Sequence, residues 1–214
     1  TQKITEPTCN EGMVRVKGAD NDFCIDKYEV SPSEDCLYKE PSSVIDTSHN
    51  IADKGCIPVS LDEKKPWTFV AVPQAEQLCA KVGKSLPTPE EWYVSAMGTP
   101  DNSNICNLKS DLLKTGLKKD CISGVGAFDM VGNVWEFVKG EATDGKYLDR
   151  ELPEEGYIEM VDDAGIAVNT TSTPNIIYNN DYFWTDKNGQ YALMRGGYYG
   201  SRDDGGVYAT HAKT

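Results

Sequence analysis

The sequence has few basic residues and no long apolar run, and each shortage argues against a class of protein. Its 214 residues include 21 Lys and Arg against 34 Asp and Glu, which gives a formal net charge of −13. Because phosphate binding needs a basic face, this balance argues against DNA, RNA or an anionic membrane as a partner. No apolar stretch approaches the roughly 20 residues of a membrane-spanning helix, so we expect no membrane insertion.

Histidine is also scarce, which limits the metal and catalytic chemistry available. The two histidines are His49 and His211, and no Cys-x-x-Cys pair occurs, so a zinc site is disfavoured. The Gly-x-Ser-x-Gly elbow of many Ser/His/Asp hydrolases is missing too. Asp203 and Asp204 could act as an acid and a base, but adjacent carboxylates on a loop are more often a solvated face.

Cysteine, by contrast, is plentiful. Seven cysteines are many for a reduced cytosolic protein and indicate an oxidising compartment. Six lie in loop-like contexts, and we read them as three bridges between sequence neighbours: Cys9–Cys24, Cys36–Cys56 and Cys106–Cys121. The sequence alone does not fix this connectivity. Cys79 lies in a helical pattern and is expected to be a free core thiol. The chain begins at Thr1 rather than Met, which we take as the mark of a removed signal peptide or a trimmed terminus.

The periodicity of the chain predicts a mostly antiparallel sheet. Alternating apolar residues predict a two-stranded hairpin within 9–30, and a long surface loop follows over 31–66. A second loop covers 99–125, residues 176–184 return to strand-like sequence, and 193–197 is the last clear strand. No strand–helix alternation runs through the chain, which argues against a parallel sheet.

Two helices are predicted from their end signals. The first begins at Pro73 and continues to about Val82, with Gly83 as the residue that stops it. For the second, Thr88 is the N-cap and Glu91 completes a Thr-x-x-Glu capping box. Both helices are most simply structural, with their apolar sides on the sheet.

The stretch from Gly126 to Glu136 combines turn residues, oxygen ligands and large apolar side chains. Its glycines permit positive φ, and its Asp, Asn and Glu offer hard oxygen ligands. The core-type residues here are Phe128, Met130 and Trp135. The stretch is either a tight turn that leads into a buried strand or a turn whose oxygens also hold Ca²⁺.

Four ordered motifs carry a family resemblance. They are Gly-Asn-Val-Trp-Glu at 132–136, the hairpin sequence at 12–30, Leu-Pro-Thr-x-x-Glu-Trp at 86–92 and Arg-Gly-Gly at 195–197. Together they resemble the formylglycine-generating (sulfatase-modifying factor) family, a variant of the C-type lectin fold. The resemblance covers most of the chain between Cys9 and Ala209.

The resemblance implies an α+β, C-type lectin-like fold of the formylglycine-generating enzyme type. We expect a mixed, mostly antiparallel sheet with two helices, long loops and disulfide staples. Residues 1–214 are then a single domain with an acidic insertion at about 139–190 and a ligand-binding C-terminal segment at about 195–214. The insertion contains an Asn169-Thr170-Thr171 sequon, which we read as an unmodified surface loop.

Calcium is implied by the same resemblance. In family members the Gly-Asn-x-Trp-Glu turn often holds Ca²⁺ through the Asn side chain, a main-chain oxygen and the Glu. This implies Asn133, Val134 and Glu136 here, with Asp129 as a further candidate. No organic cofactor is expected.

This chain lacks the residues that carry out the enzymatic chemistry of the family. Members that make formylglycine use a pair of cysteines shortly after the Arg-Gly-Gly strand, but Cys121 is the last cysteine here. Thiolate chemistry needs a thiol. Other members hold iron with histidines in an extra helical domain, for which this chain has no counterpart. We therefore predict that the protein is not an enzyme.

The C-terminal segment has the composition of a recognition surface. Residues 196–212 are rich in Gly and Tyr and contain no Glu, Lys, Gln, Met or Trp. Tyrosine offers a large contact area at low entropic cost, and small residues supply fit. The plainer alternative is a Gly-rich loop after an edge strand.

A second resemblance assigns residues to this surface. Arg195-Gly196-Gly197 followed by Gly206-Val207-Tyr208-Ala209 is similar to the variable region of diversity-generating retroelement proteins. The displayed positions implied are Tyr198, Tyr199, Gly200, Ser201, Asp203, Asp204, Tyr208 and His211. Because aromatic anchors usually dominate binding energy, we also expect Tyr182 and Trp184 at the rim. That family normally continues to a closing Gly-Phe-Arg strand, which this sequence lacks.

The function predicted is that of a non-enzymatic display protein. A variable Tyr/Gly/Asp-rich surface on a C-type lectin scaffold would bind a protein or cell-surface ligand. We expect a monomer that is extracellular or on a cell or virion surface. The alternatives are a formylglycine-generating-like enzyme that uses other residues, and a pseudo-enzyme that binds a partner through 139–190.

Overall fold

A computed structural model describes residues 8–19 and 21–213, which form twelve β-strands and three α-helices. Thr1, and Asp20 of the hairpin turn, lie outside the described residues. The strands are β1 (Met13–Val16), β2 (Phe23–Asp26), β3 (Val30–Pro32), β4 (Pro58–Ser60), β5 (Glu136–Thr143), β6 (Lys146–Tyr147), β7 (Arg150–Glu151), β8 (Gly156–Val161), β9 (Ala167–Thr171), β10 (Tyr182–Thr185), β11 (Gln190–Arg195) and β12 (Thr210–Ala212). The helices are α1 (Val44–Ala52), α2 (Val72–Lys81) and α3 (Pro89–Ala96).

Eight of the strands form one mixed sheet in the order β7-β6-β5-β11-β12-β10-β8-β9. All of its described pairs are antiparallel except β10 with β12, which are parallel. The predicted hairpin is confirmed as β1 paired with β2, and β3 pairs with β4 in a separate small sheet. The prediction of a mixed, mostly antiparallel sheet is confirmed.

Side-chain alternation gives the centre of the sheet a core face and an outer face. In β10, Phe183 is fully buried while Trp184 is half-buried, and in β12 Ala212 is buried while His211 is half-buried. Trp184 and His211 are register partners, so their side chains project from the same face of the sheet. The outer face at this place is therefore aromatic.

Both predicted helices are present. The second is α3, in which Thr88 Oγ1 accepts a hydrogen bond from Glu91 N at 3.1 Å and Glu91 Oε2 accepts one from Thr88 N at 2.7 Å. This reciprocal capping box matches the prediction. Trp92, on the inner side of α3, is 1% exposed and joins the main core.

The prediction of a loop over 31–66 was incomplete, because α1 and β4 lie within it. α1 is amphipathic and Ser43 Oγ caps it by accepting from Asp46 N at 3.2 Å, but the helix is short and contacts outside it also stabilise it. Asn50 Nδ2 donates to Tyr38 O at 2.7 Å, and Thr47 Oγ1 accepts from Trp67 Nε1 at 3.1 Å. Such tertiary contacts override weak local propensity.

The acidic region within 139–190 is built into the sheet. It supplies the C-terminal part of β5 together with β6 to β10, and Tyr147, Ile158 and Phe183 are buried in the main core. Two strand predictions near its end need correction. Residues 176–178 form a 3₁₀ turn rather than a strand, and 193–197 is not the last strand because β12 follows. β12 inserts between β10 and β11 in the sheet.

The three predicted disulfides, Cys9–Cys24, Cys36–Cys56 and Cys106–Cys121, are all present. Cys79 is the one free cysteine, as predicted. It is half-buried on α2 rather than fully inside the core, because it lines a cavity of about 610 Å³ under the N-terminal hairpin.

Candidate functional site

A cleft of about 450 Å³ opens on the outer face of the sheet, where four aromatic rings meet. We call it the aromatic cleft; its lining residues are Trp135, Trp184, Tyr198, Gly200, Ser201, Asp204, His211 and Lys213. The Trp135 ring lies 5.4 Å from the Trp184 ring, 5.4 Å from the His211 ring and 6.4 Å from the Tyr198 ring, between centroids. Trp135 is therefore the hub of the cleft.

Four neighbouring strands of the sheet bring these residues together. Trp135 immediately precedes β5, Tyr198 follows β11, His211 lies in β12 and Trp184 lies in β10. Because β5, β11, β12 and β10 are consecutive in the sheet, the rings form a row across it. The cleft thus rests on strands, which hold side chains more rigidly than loops do.

The aromatic surface extends beyond the cleft along β10 and β8. The Tyr182 ring lies 5.0 Å from that of Trp184 and 5.1 Å from that of Tyr157. On the other side, the Tyr199 ring lies 5.2 Å from that of Tyr198. Tyr198 is 38% exposed, a large fraction for an aromatic side chain. Contiguous aromatic surface of this kind is typical of binding sites.

Hydrogen bonds fix the backbone of the C-terminal segment beneath these side chains. Tyr198 N donates to Ser201 Oγ at 3.0 Å, and Tyr199 N donates to Asn133 O at 3.1 Å. Further on, Arg202 N donates to Leu108 O at 2.7 Å. Each bond ties the segment to itself or to a loop that a disulfide or the sheet holds in place.

Arg195 anchors the segment from inside. Its guanidinium is fully buried and lies 4.8 Å from the Trp92 ring, and its Nη atoms donate to the carbonyls of Ala164, Gly165 and Val207, each at 3.0 Å. Burial lowers the pKa of Arg195 to about 10, so it remains charged at neutral pH. One side chain therefore joins the β8–β9 turn to the C-terminal segment.

The charges around the cleft are mixed. Burial, followed by the nearby Lys213, lowers the pKa of His211 to about 4, so this histidine is neutral at pH 7. Lys213 Nζ donates to Glu155 Oε2 at 2.8 Å, which pairs its charge. Burial and then Asp203 raise the pKa of Asp204. A neutral imidazole, a carboxylate and a paired ammonium thus surround the rings.

The structure places the ten predicted ligand-binding residues in three groups. Six line the aromatic cleft: Trp184, Tyr198, Gly200, Ser201, Asp204 and His211. Tyr182, Tyr199 and Asp203 flank it through ring contacts or sequence adjacency. Tyr208 points elsewhere, since its ring packs 5.0 Å from that of Tyr178 and 5.9 Å from that of Tyr93. Ser201 is buried and serves mainly to hold the turn.

Trp135 is a cleft residue that the sequence analysis missed, because it was read as a core-type side chain. It is half-buried, its ring contacts those of Trp184, Tyr198 and His211 in the cleft, and it also lines the cavity under the hairpin. Its position between the Gly-Asn turn and β5 was the sequence feature that could have indicated a place at the surface.

The turn proposed for calcium is closed by hydrogen bonds among the described residues. Asn133 is 1% exposed; its Nδ2 donates to Glu29 Oε2 at 2.6 Å, and its Oδ1 accepts from Asn107 Nδ2 at 2.9 Å and Leu113 N at 3.0 Å. Val134 N donates to Glu29 Oε1 at 3.2 Å. These hydrogen bonds engage the Asn133 side-chain amide and the Val134 N–H.

The carboxyl groups of this turn are also engaged. Asp129 Oδ2 accepts from Gly116 N at 2.6 Å, and Glu136 Oε2 accepts from the Trp92 indole nitrogen. Burial raises the pKa of Asp129 to about 6 and that of Glu136 to about 7. Burial, then Asp129 and Glu136, raises the pKa of Glu29 well above its usual value. Across 8–19 and 21–213, no group of three or more His, Cys, Asp or Glu side chains forms a metal site.

A family model supports the assignment suggested by the motifs. The model described as "Sulfatase-modifying factor enzyme 1-like domain" matches residues 10–211. The match therefore includes the strands within 139–190 as well as the C-terminal segment.

Solved structures of the Major Tropism Determinant are similar in fold. The U1 variant aligns with a TM-score of 0.50 at 15% sequence identity, over 95% of this chain and 48% of its own. The P3c variant aligns with a TM-score of 0.48 at 15% identity, over 96% of this chain and 49% of its own. The chain thus spans about half the length of these proteins. At such identity the likeness shows the shared C-type lectin-like fold alone.

One curated protein matches part of the chain. A dITP/XTP pyrophosphatase from Campylobacter jejuni is 32% identical over 98 residues, which are 46% of this chain and 48% of that protein. Because less than half of either chain is covered, this match does not show a shared family.

Proposed function

The chain belongs to the family of the sulfatase-modifying factor enzyme 1-like domain, and from that premise we propose that it is a non-enzymatic ligand-binding protein. Its aromatic cleft and the adjoining tyrosines present a recognition surface to a protein or cell-surface ligand. The C-terminal segment is the variable part of that surface, as in the diversity-generating retroelement proteins that it resembles.

The observation that carries this proposal is the convergence of six predicted display residues on one cleft. Five of them lie within 198–211 and Trp184 lies in β10, and the strand order brings them together around Trp135. Aromatic side chains in a partly desolvated pocket are the usual anchors of a binding surface. That the solved structures with this fold are named tropism determinants agrees with a role in recognition.

The chemistry of the only free thiol supports a non-enzymatic role. All seven cysteines lie within the described residues, six form disulfides, and Cys79 lines the cavity under the hairpin rather than the aromatic cleft. Burial raises the pKa of the Cys79 thiol, which lowers its nucleophilicity at neutral pH. A formylglycine-type oxidation would need a reactive thiol pair.

The disulfides favour a location outside the reducing cytosol. We propose an extracellular, cell-surface or virion-surface protein that acts as a monomer. No helix among residues 8–19 and 21–213 has the length and apolarity needed to cross a bilayer. Calcium at Asn133, Val134, Glu136 and Asp129 stays a prediction, which metal titration below addresses.

A pair of combinatorial libraries tests the display function and does not require the natural ligand to be identified. One library varies five cleft residues: Trp184, Tyr198, Gly200, Asp204 and His211. The other varies five exposed residues on the β5–β6–β7–β11 side of the same sheet: Glu141, Thr143, Lys146, Glu151 and Gln190. Both are displayed on yeast and selected against the same set of purified proteins.

We expect specific binders to enrich from the cleft library and not from the flat-surface library. The cleft offers a concave site with rigid support, whereas the control positions form an open strand surface. Alanine at Trp135 should then abolish binding by the selected clones while their thermal melting stays cooperative. Equal enrichment from both libraries, or loss of folding in most cleft variants, would contradict the proposal.

A further inference from the structure

Two carboxyl groups converge behind the C-terminal segment, outside the aromatic cleft. Asp181, immediately before β10, is fully buried, and Asp101 is half-buried in the loop after α3. A Cβ placed on Gly206 would overlap both Asp101 Oδ2 and Asp181 Oδ1. The two carboxylate oxygens therefore lie close to each other beside the Cα of Gly206.

The hydrogen bonds around this point leave one oxygen without a donor. Asp181 Oδ2 accepts from Tyr208 N at 2.7 Å, and Asp101 Oδ2 accepts from Val207 N at 3.2 Å. Asp181 Oδ1 is buried and has no hydrogen-bond partner among the described residues. A buried carboxylate oxygen that faces a second carboxylate is unfavourable unless a proton or a cation lies between them.

The charged side chains nearby do not satisfy this oxygen. Arg195 interacts electrostatically with Asp181, but its Nη atoms donate to three main-chain carbonyls. Burial raises the pKa of Asp101 to about 6 and that of Asp181 well above its usual value, and the two carboxyl groups are within hydrogen-bond reach of each other. At neutral pH the pair therefore needs either a shared proton or a bound cation between its oxygens.

We propose that Ca²⁺ binds between Asp101 and Asp181. Ca²⁺ takes oxygen ligands at about 2.3–2.6 Å, and carboxylates from separate segments are its usual protein ligands. Asn179 is a candidate third ligand. Its Nδ2 lies 3.3 Å from Asp101 Oδ2, and since amide nitrogen and oxygen are assigned from the hydrogen-bond network, a half-turn presents Oδ1 to the same point.

The site joins three segments that are distant in sequence. Asp101 follows α3, Asp181 leads into β10, and both carboxylates bind main-chain N–H groups of Val207 and Tyr208. The cation would fix the base of the C-terminal segment. The metal site stands independently of the proposed display function; only its effect on ligand binding rests on that function.

The test compares melting temperatures in EDTA and in millimolar Ca²⁺. We expect Ca²⁺ to raise the melting temperature of the wild-type protein by several degrees. Asp181→Asn should lose this response. In EDTA it should melt at a higher temperature than the wild type, since the amide removes the repulsion and its N–H can donate to Asp101. Terbium luminescence sensitised by the neighbouring Tyr208 gives a second readout of occupancy.

Two further variants locate the ion. Asp163→Asn, at an exposed acid of the β8–β9 turn, should respond to Ca²⁺ like the wild type. Asp129→Asn tests the turn predicted from the family resemblance and should also respond if the ion lies between Asp101 and Asp181.

Three outcomes would overturn the proposal. They are a wild-type melting temperature that Ca²⁺ does not change, a full response in Asp181→Asn, and a response that only Asp129→Asn abolishes. Stabilisation by acidification that Asp181→Asn reduces, without any effect of Ca²⁺, would also refute it, since a shared proton would then hold the pair. None of these results bears on the library test of display.

Discussion

At the scale of single residues, Arg195 is the side chain on which the geometry of the C-terminal segment most depends. Its planar guanidinium reaches carbonyls of two different segments and lies against Trp92, all without exposure to solvent. Lysine keeps the charge but has one ammonium group, which cannot reproduce this arrangement of donors. The Arg-Gly-Gly motif is thus structural rather than part of the recognition surface.

We predict that Arg195→Lys lowers the free energy of unfolding by about 3 kcal/mol, because buried carbonyls lose their donors. Urea denaturation followed by tryptophan fluorescence measures this change. Arg202→Lys, in the same segment but exposed, should change stability by less than about 0.5 kcal/mol. Equal effects of the two substitutions would show that the carbonyl contacts of Arg195 contribute little.

A second residue-scale property is the raised pKa of buried acids around the Asn133 turn. The pKa of Glu136 is raised by burial from 4.5 to about 7, and that of Asp129 from 3.8 to about 6. At pH values between the ordinary and the raised pKa of each acid, the folded state binds more protons than the unfolded state. Stability therefore rises as pH falls from about 7 towards 5, the reverse of ordinary acid denaturation.

We predict that the melting temperature is higher at pH 5.5 than at pH 7.5, and that Glu136→Gln reduces this difference. Hydrogen bonds from Lys64 and then Lys39 lower the pKa of the exposed Glu34 to about 2. The contribution of Glu34 to stability is therefore lost only at pH values below this range. Calorimetry across the range measures the effect, with Glu154→Gln as an exposed control. A melting temperature that falls steadily on acidification, or an unchanged slope in Glu136→Gln, would contradict the prediction.

At the scale of elements, local signals predicted some parts of the fold and not others. The second helix was predictable because Thr88 and Glu91 cap it through neighbours in sequence. α1 was missed although Ser43 caps it locally, because it is short, lies in a loop-like stretch and is also stabilised by partners outside the helix, such as Tyr38 and Trp67. The three-residue strand β12 has no periodicity to detect, and its neighbours β10 and β11 define it.

The candidate site, like the fold, was predictable only in part from the sequence. The family resemblance implied eight display positions, and five of them line the cleft, but it did not indicate how strands from 139–190 would contribute. Trp184 was placed at the rim, while Trp135 was assigned to the core because a tryptophan beside apolar residues usually packs inside. Only the strand order β5-β11-β12-β10 shows that the two indoles face each other.

The strands within 139–190 also change how the insertion can be tested. Because they provide both edges of the eight-stranded sheet and buried side chains such as Ile158 and Phe183, they cannot be removed without loss of the core. A deletion of this region would unfold the domain whether or not it binds a partner. Substitutions of exposed side chains, such as Met160, are the informative way to examine it.

At the scale of the whole molecule, several constraints meet under the recognition surface. The disulfide Cys106–Cys121 closes the loop that carries Asn107 and Leu108, and these residues bind the turn at Asn133 and the segment at Arg202. The central strands and Arg195 hold the same segment from the other side. Such a platform lets surface side chains vary while the backbone beneath them stays fixed, which reduces the entropy lost on binding.

This rigidity leads to a prediction for hydrogen exchange. Although residues 198–209 contain no regular strand, their amides should exchange at rates typical of the sheet, because the N–H groups of Tyr199, Val207 and Tyr208 donate to the Asn133 carbonyl, Asp101 and Asp181. Exchange followed by mass spectrometry compares this peptide with 101–105, a loop at the surface. Arg195→Lys should speed exchange in 198–209 more than in α2. Fast exchange across 198–209 in the wild-type protein would mean that the surface orders only when a ligand binds, and the platform described above would be wrong.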